Sequence, residues 1–267
     1  MKLYSWMRGS LALLAVTAWT GCGPLKDFHS VAHASSLSDT GRTYNAEETS
    51  RKSSGLAGKV IVIDAGHGGH DSGARGVDDV HEKEITLAVA KRLTTYLHEA
   101  GATVITTRFT DTDLATDEDR RNRRRHMGDL RGRLSIVRNQ SIDAFVSIHC
   151  NAAPSPNWHG AQVLYLKDND HAKQLATVMQ ETFHDTLLPT KRSIQSNETL
   201  YLLKRIKGPS VLAEIGFITN PNEASWLQRP AYQEKVALAM YVSLHRYYDE
   251  VSSGKVPDSD SDSDADD

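Results

Sequence analysis

The 267-residue chain reads as a single α/β domain built on a twisted, mostly parallel sheet flanked by helices. Three observations predict this class. Val60, Ile61, Val62 and Ile63 form a β-branched run that ends in Asp64, as a buried strand does at the carboxyl edge of a sheet. An amphipathic helical pattern and a second strand-like run at 103–107 follow it, and strand, helix, strand in that order makes a parallel βαβ unit. Two more apolar runs, 143–148 and 211–215, repeat the strand pattern and bring His149 and Glu214 into the same setting.

The stretch 59–76, KVIVIDAGHGGHDSGARG, places five glycines and two histidines directly after the first strand. Gly66, Gly68 and Gly69 let the backbone turn where a Cβ would interfere, so His67 can approach a metal or a substrate. A dinucleotide loop would need glycine at the sixth position of G-x-G-x-x-G. Counting from Gly66, that position is Asp71, an anion that would repel a pyrophosphate, and no Gly-Lys-Ser/Thr follows. A solvated turn remains the plain alternative.

After this loop, Ile85, Val89, Leu93, Tyr96 and Leu97 recur at three- and four-residue spacing, which predicts a helix that stops at Gly101. Residues 108–127 lack apolar periodicity and read as a long surface loop, with five arginines between Arg120 and Arg125. A helix is expected over 128–139, a strand over 160–166, a helix over 170–187, a short strand over 200–203 and a long closing helix over 232–248. No internal repeat is present.

Composition bounds the function. With 39% hydrophobic residues the chain can bury a sizeable core. Lys and Arg number 31 against 34 Asp and Glu, but six of those acids sit in the tail 256–267, so the body is weakly basic. That falls short of the basic stripe of a nucleic-acid binder. Only two cysteines occur, Cys22 and Cys150, so there is no disulfide framework, and Cys150 at a strand end reads as an inert buried thiol.

Lys2 and Arg8 precede an apolar run over 11–19, which has the form of an export signal. Thr20-Gly21-Cys22 resembles a lipoprotein cleavage site, although Trp19 stands where a small residue is usual, and Ala32-His33-Ala34 offers a rival cleavage point. The expected layout is an export signal or anchor over 1–22, a flexible linker over 23–55, a catalytic domain over 56–250 and a disordered acidic tail over 251–267. The mature chain is expected outside the cytoplasmic membrane and anchored to it through this segment alone.

Element ends present His67, Glu82 and His149, and a fourth presents Glu214. Two histidines and a carboxylate suit a zinc ion with one open position, with a separate glutamate to move protons. Each has a plainer reading. His149 would serve as a satisfied strand-end histidine, and Glu82 as a complement to a helix amino terminus. Glu214, flanked by Val, Leu, Ala and Ile, is costly to bury ionised without a partner.

Four motifs occur in order: DAGHGG-x-D-x-G, the Glu82-Lys83 helix start, SIHCNA at 147–152 and AEIGFITNP at 213–221. Together they resemble the zinc-dependent N-acetylmuramoyl-L-alanine amidases over about residues 58–250. The resemblance implies His67, Glu82 and His149 as zinc ligands, Glu214 as the catalytic carboxylate and peptidoglycan as substrate. GAQVLYL at 160–166 and the closing segment from Pro221 resemble the spore-specific branch, which implies action on spore-cortex peptidoglycan in preparing muramic δ-lactam. A general wall amidase for cell separation or lysis is the alternative within the family, and a non-catalytic peptidoglycan-binding module the alternative outside it. An activating or zinc-loading protein partner is compatible with the resemblance. Cys150 departs from the alanine usual after the strand histidine. His81 before Glu82 is also unusual, and His70 and Glu84 are further competitors for a metal.

Overall fold

The computed structural model describes residues 55–187 and 190–254. The export signal, the linker and the acidic tail expected from the sequence lie outside the described residues, apart from Gly55 and the stretch 251–254. No helix among the described residues is long and apolar enough to cross a membrane.

Six strands, β1 (Val60–Ala65), β2 (Thr103–Thr106), β3 (Ala144–Asn151), β4 (Gln162–Leu166), β5 (Gln195–Asn197) and β6 (Ser210–Phe217), form one sheet in the order β2-β1-β3-β6-β4-β5. β1 pairs in parallel with β2 and β3, and β3 with β6. β4 runs antiparallel to β6 and carries β5 parallel to itself. The parallel block points its carboxyl ends one way, so Asp64, His149 and Glu214 reach the same edge.

Alternation along the strands divides the core. Ile61, Ile63, Val146, Ile148, Val211 and Ala213 face the larger cluster, whereas Val62, Phe145 and Leu212 face the smaller one. Helices α1 (Glu82–Glu99), α4 (Asp170–Thr186) and α6 (Pro230–Ser252) pack on the first face. On the second lie Leu134 and Val137 of α3 (Arg125–Arg138), with Leu202, Leu203 and Ile206. Two short helices, α2 (Asp117–Arg121) and α5 (Pro221–Leu227), complete the set.

α1 has no side-chain cap at its start. Its stability therefore rests on burying Ile85, Val89, Leu93 and Leu97, each worth about 1.5–3 kcal/mol against roughly 1 kcal/mol for a cap. The helix ends as the sequence predicts. Gly101, at φ 86, donates to His98 O, and Ala102 donates to Leu97 O, which closes the last turn.

Three expectations need correction. The stretch 108–127 is not loop throughout, because it contains α2 and the first turn of α3. Thr116 and Asp119 form a reciprocal capping box at the start of α2, and that five-residue helix buries no side chain, so it leaves no apolar period to detect. The run 200–203 is a turn rather than a strand, with Lys204 N donating to Leu200 O and Ile206 N to Leu202 O. Leu202 and Leu203 are buried in the smaller cluster from this turn, with Leu200 partly buried beside them, and a four-residue apolar run does not reveal which backbone carries it. The closing helix is longer than 232–248, since Pro230 occupies its first turn and it runs on to Ser252.

Candidate metal centre

The loop after β1, the first residue of α1 and the end of β3 bring His67, Glu82 and His149 together. One donor atom from each lies within 4.8 Å of the others. His67 Nε2 is 3.1 Å from Glu82 Oε2, and His149 Nδ1 is 3.0 Å from Glu82 Oε1. The two imidazoles meet edge to face with centroids 4.9 Å apart.

The backbone closes tightly around this group. A Cβ on Gly66 would sit 2.4 Å from His149 Cε1, and one on Gly73, at φ +68, would sit 2.6 Å from both Glu82 Oε2 and His67 Cδ2. His67 itself adopts φ 60, a conformation that non-glycine residues hold only when their surroundings impose it. Two buried arginines impose it here. Arg133 donates to Ala65 O and His67 O, and Arg108 donates to Ala65 O and Gly66 O. Arg133 is in turn anchored on Asp64 at 2.6 Å. Burial works against ionising Asp64, yet Arg133 and hydrogen bonds from Ser147 and Thr107 prevail and hold its pKa below the usual value.

Glu82 is 3% exposed, and burial alone would raise its pKa. The hydrogen bonds and charges of His149 and His67 overcome that and hold it far below the usual carboxylate range. Backbone N–H groups of Ala74 and Cys150 add bonds of 2.8 Å each to its two oxygens. Behind His67, Asp71 Oδ2 accepts from Nδ1 at 2.9 Å. Against the opposing effect of burial, Asp71 and Glu82 raise His67 to about 9. An imidazole braced by a carboxylate on its far nitrogen is the usual support for a metal-ligating histidine.

Glu214 is the register partner of His149 on the neighbouring strand, and both side chains leave the second face of the sheet. Its Oε2 is buried without a hydrogen-bond partner. Burial pushes its carboxyl up to about 7, with His149 and His67 opposing and Glu82 adding to the rise.

The competitors fall away by position. Glu84 is exposed and only 3.9 Å contact links it to His81, which faces Asp79; His70 is exposed, and none of the three joins the cluster. Cys150 is buried, and burial pushes its thiol well up, as expected of an inert residue, while its backbone N–H serves Glu82. Arg108 and Arg133 did not emerge from the sequence, and Asp71 stood there only as a loop anion and motif residue without a role at the site. The spacing of His67 and Asp71 in HGGHD was the one available signal, and nothing marked the arginines among so many others.

Two imidazole nitrogens and a carboxylate oxygen converging from three elements, with a braced histidine behind them, fit a zinc ion with an open coordination position. Fold and site together define a hydrolytic enzyme of the α/β class. Residues 61–246 match the family model described as N-acetylmuramoyl-L-alanine amidase. The chain belongs to that family of enzymes, which hydrolyse the amide between N-acetylmuramic acid and L-alanine in peptidoglycan. It is 40% identical over 195 residues to the germination-specific N-acetylmuramoyl-L-alanine amidase of Bacillus subtilis (strain 168), covering 73% of this chain and 82% of that protein. N-acetylmuramoyl-L-alanine amidase LytC of the same strain is 33% identical over 195 residues, which is 72% of this chain but 36% of LytC. Among solved structures, the CwlD amidase from Clostridioides difficile in complex with the GerS lipoprotein aligns with a TM-score of 0.70 at 36% identity, covering 72% of this chain and 98% of that one.

Proposed function

We propose that the chain is a zinc-dependent amidase of spore-cortex peptidoglycan that removes stem peptides on the way to muramic δ-lactam. The observation that carries the zinc assignment is the buried Glu82 carboxylate held between His67 and His149, with Glu214 beside them. His67, Glu82 and His149 would hold the ion, which when bound supplies Lewis acidity to the scissile carbonyl and to the attacking water.

Glu214 is the proton carrier in this reading. Its carboxyl near 7 gives up and regains a proton close to neutral pH, as a general base that later acts as an acid must. It takes the proton of the attacking water as the carbon–oxygen bond forms, then delivers it to the alanine nitrogen as the carbon–nitrogen bond breaks. Asp71 keeps His67 oriented throughout, and the arginine-held loop keeps the imidazole at its angle.

The cortex assignment is supported by the 40% identity to the germination-specific enzyme. That CwlD was solved with the GerS lipoprotein supports a protein partner for this chain as well. Export and anchoring through the amino-terminal segment are part of the same proposal.

The test mixes zinc-loaded protein with vegetative and with cortex peptidoglycan and identifies the released products by mass spectrometry. Stem peptides beginning with L-alanine are expected from cortex, and their release should stop on chelation. Release from vegetative wall alone would overturn the cortex role, and release indifferent to chelation would overturn the metal.

A further inference from the structure

A cavity of about 680 Å³ is lined by Asn157, Trp158, His159, Thr190, Lys191 and Arg192. None of these belongs to the cluster, yet the sheet ties the cavity to it. His149 pairs with Glu214, Glu214 pairs with Gln162, and Gln162 Oε1 accepts from Arg192 Nη1 at 3.2 Å. Adjacent strands lie about 4.8 Å apart, so the backbone of Gln162 is roughly 10 Å from that of His149, with the guanidinium just beyond. An extended peptide spans that distance in about three residues at roughly 3.3–3.6 Å each.

Arg192 is arranged to receive an anion. Its Nε donates to His159 O at 2.9 Å, and its guanidinium lies 4.5 Å from the ring centroid of Phe217 and 4.9 Å from that of Trp158. Among the described residues it makes no ion pair. Glu223, whose charge it feels, is committed elsewhere, accepting Gly160 N at 2.9 Å and Phe217 N at 2.7 Å. Burial lowers the Arg192 pKa, a penalty that a bound anion would offset. Among the described residues no acid lines the cavity, and Lys191 adds a second cation. Trp158 is 53% exposed, but Arg192 already lies over its ring, so the indole serves as a wall more than as an open platform for a sugar.

Resting on the amidase reading, we propose that this cavity is a subsite for the stem peptide, with Arg192 binding a carboxylate borne two or three residues beyond the scissile amide. A guanidinium with aromatic walls and no resident acid recognises a planar carboxylate by paired, charge-assisted hydrogen bonds. The site therefore selects the peptide as well as the bond.

The test uses zinc-loaded full-length protein and two muropeptides that differ only in whether the carboxylate of the second stem residue is free or a carboxamide. The unaltered protein should show a KM about tenfold lower for the free acid, with similar kcat. Arg192→Gln should raise KM for the acid about tenfold and erase the discrimination, and Arg192→Lys should restore part of it. Calorimetric binding of the two released stem peptides gives a readout that needs no turnover. Equal binding and equal KM for both forms in the unaltered protein would overturn the subsite. Discrimination in binding without cleavage of either muropeptide would instead uphold the subsite and count against the amidase reading.

Discussion

His149 and Glu214 face each other across two parallel strands, paired in register on the same side of the sheet. The relationship lets one residue stand among three converging donor groups while its neighbour keeps an oxygen without a hydrogen-bond partner. Just beyond the pair, two residues of β3 oppose three of β6, and Gly216, at φ 152, lies in that irregularity. The extra residue sets Phe217, the last of β6, opposite Asn151, and its ring lies 4.5 Å from the Arg192 guanidinium.

Separating these two roles is the first expectation. Glu214→Gln should keep zinc and lower kcat about 10²–10⁴-fold, whereas His67→Ala should lose both metal and turnover. Metal analysis of dialysed protein alongside peptide release checks this. Equal zinc loss in the two variants would contradict the division of labour.

Asp71 touches no other member of the cluster but holds His67 Nδ1. Asp71→Asn should weaken zinc binding about 10–100-fold while leaving the fold intact, as read by competition with a chelator and by circular dichroism.

Acidification should remove activity. Glu214 must be ionised to accept a proton, its carboxyl sits near 7, and a cation beside it would lower that value. kcat/KM should therefore fall along an acid limb with its midpoint at or below about pH 7. A profile with no acid limb between about pH 3 and pH 8 would exclude Glu214 as the base.

Metal-free protein should lose stability on the alkaline side. The folded-state pKa of His67 is raised from 6.5 to about 9, so its contribution is fully present below 6.5 and disappears as pH rises through 9. Thermal midpoints measured from pH 7 to 9.5 should fall in chelator and fall less with zinc, which takes the neutral imidazole.

Gly73→Ala tests the packing around the cluster. A residue with a Cβ at φ +68 costs roughly 1–2 kcal/mol, and its methyl would collide with Glu82 and His67. Zinc affinity should drop more steeply than stability, as measured on the same sample by chelator competition and urea melts.

Much of this was legible because it followed a simple period. β1, β3 and β6 are runs of Val, Ile, Phe and Ala with few polar interruptions, and α1 carries its buried face at helical spacing. The candidate cluster could be named because DAGHGG, the Glu82-Lys83 helix start and SIHCNA resemble the motifs of one amidase family, whereas position at strand and helix ends alone left plainer readings open. β5 was invisible, since Gln195, Ser196 and Asn197 are held by pairing with β4 and not by any apolar pattern. The reversed direction of β4 also leaves no mark in its residues, because strand polarity is decided by the connections. The arginine brace was hidden for a different reason: Arg133 is defined by contacts with Asp64 and His67, more than sixty residues away.

His67, Glu82 and His149 come from three separate elements, and no short segment of the chain contains two of them. The three donors meet only in the folded chain, so a metal held by all of them would favour folded over unfolded molecules. Each tenfold rise in free zinc above its dissociation constant then adds about 1.4 kcal/mol to the native state. Retained metal would report how many molecules in a preparation have completed their sheet.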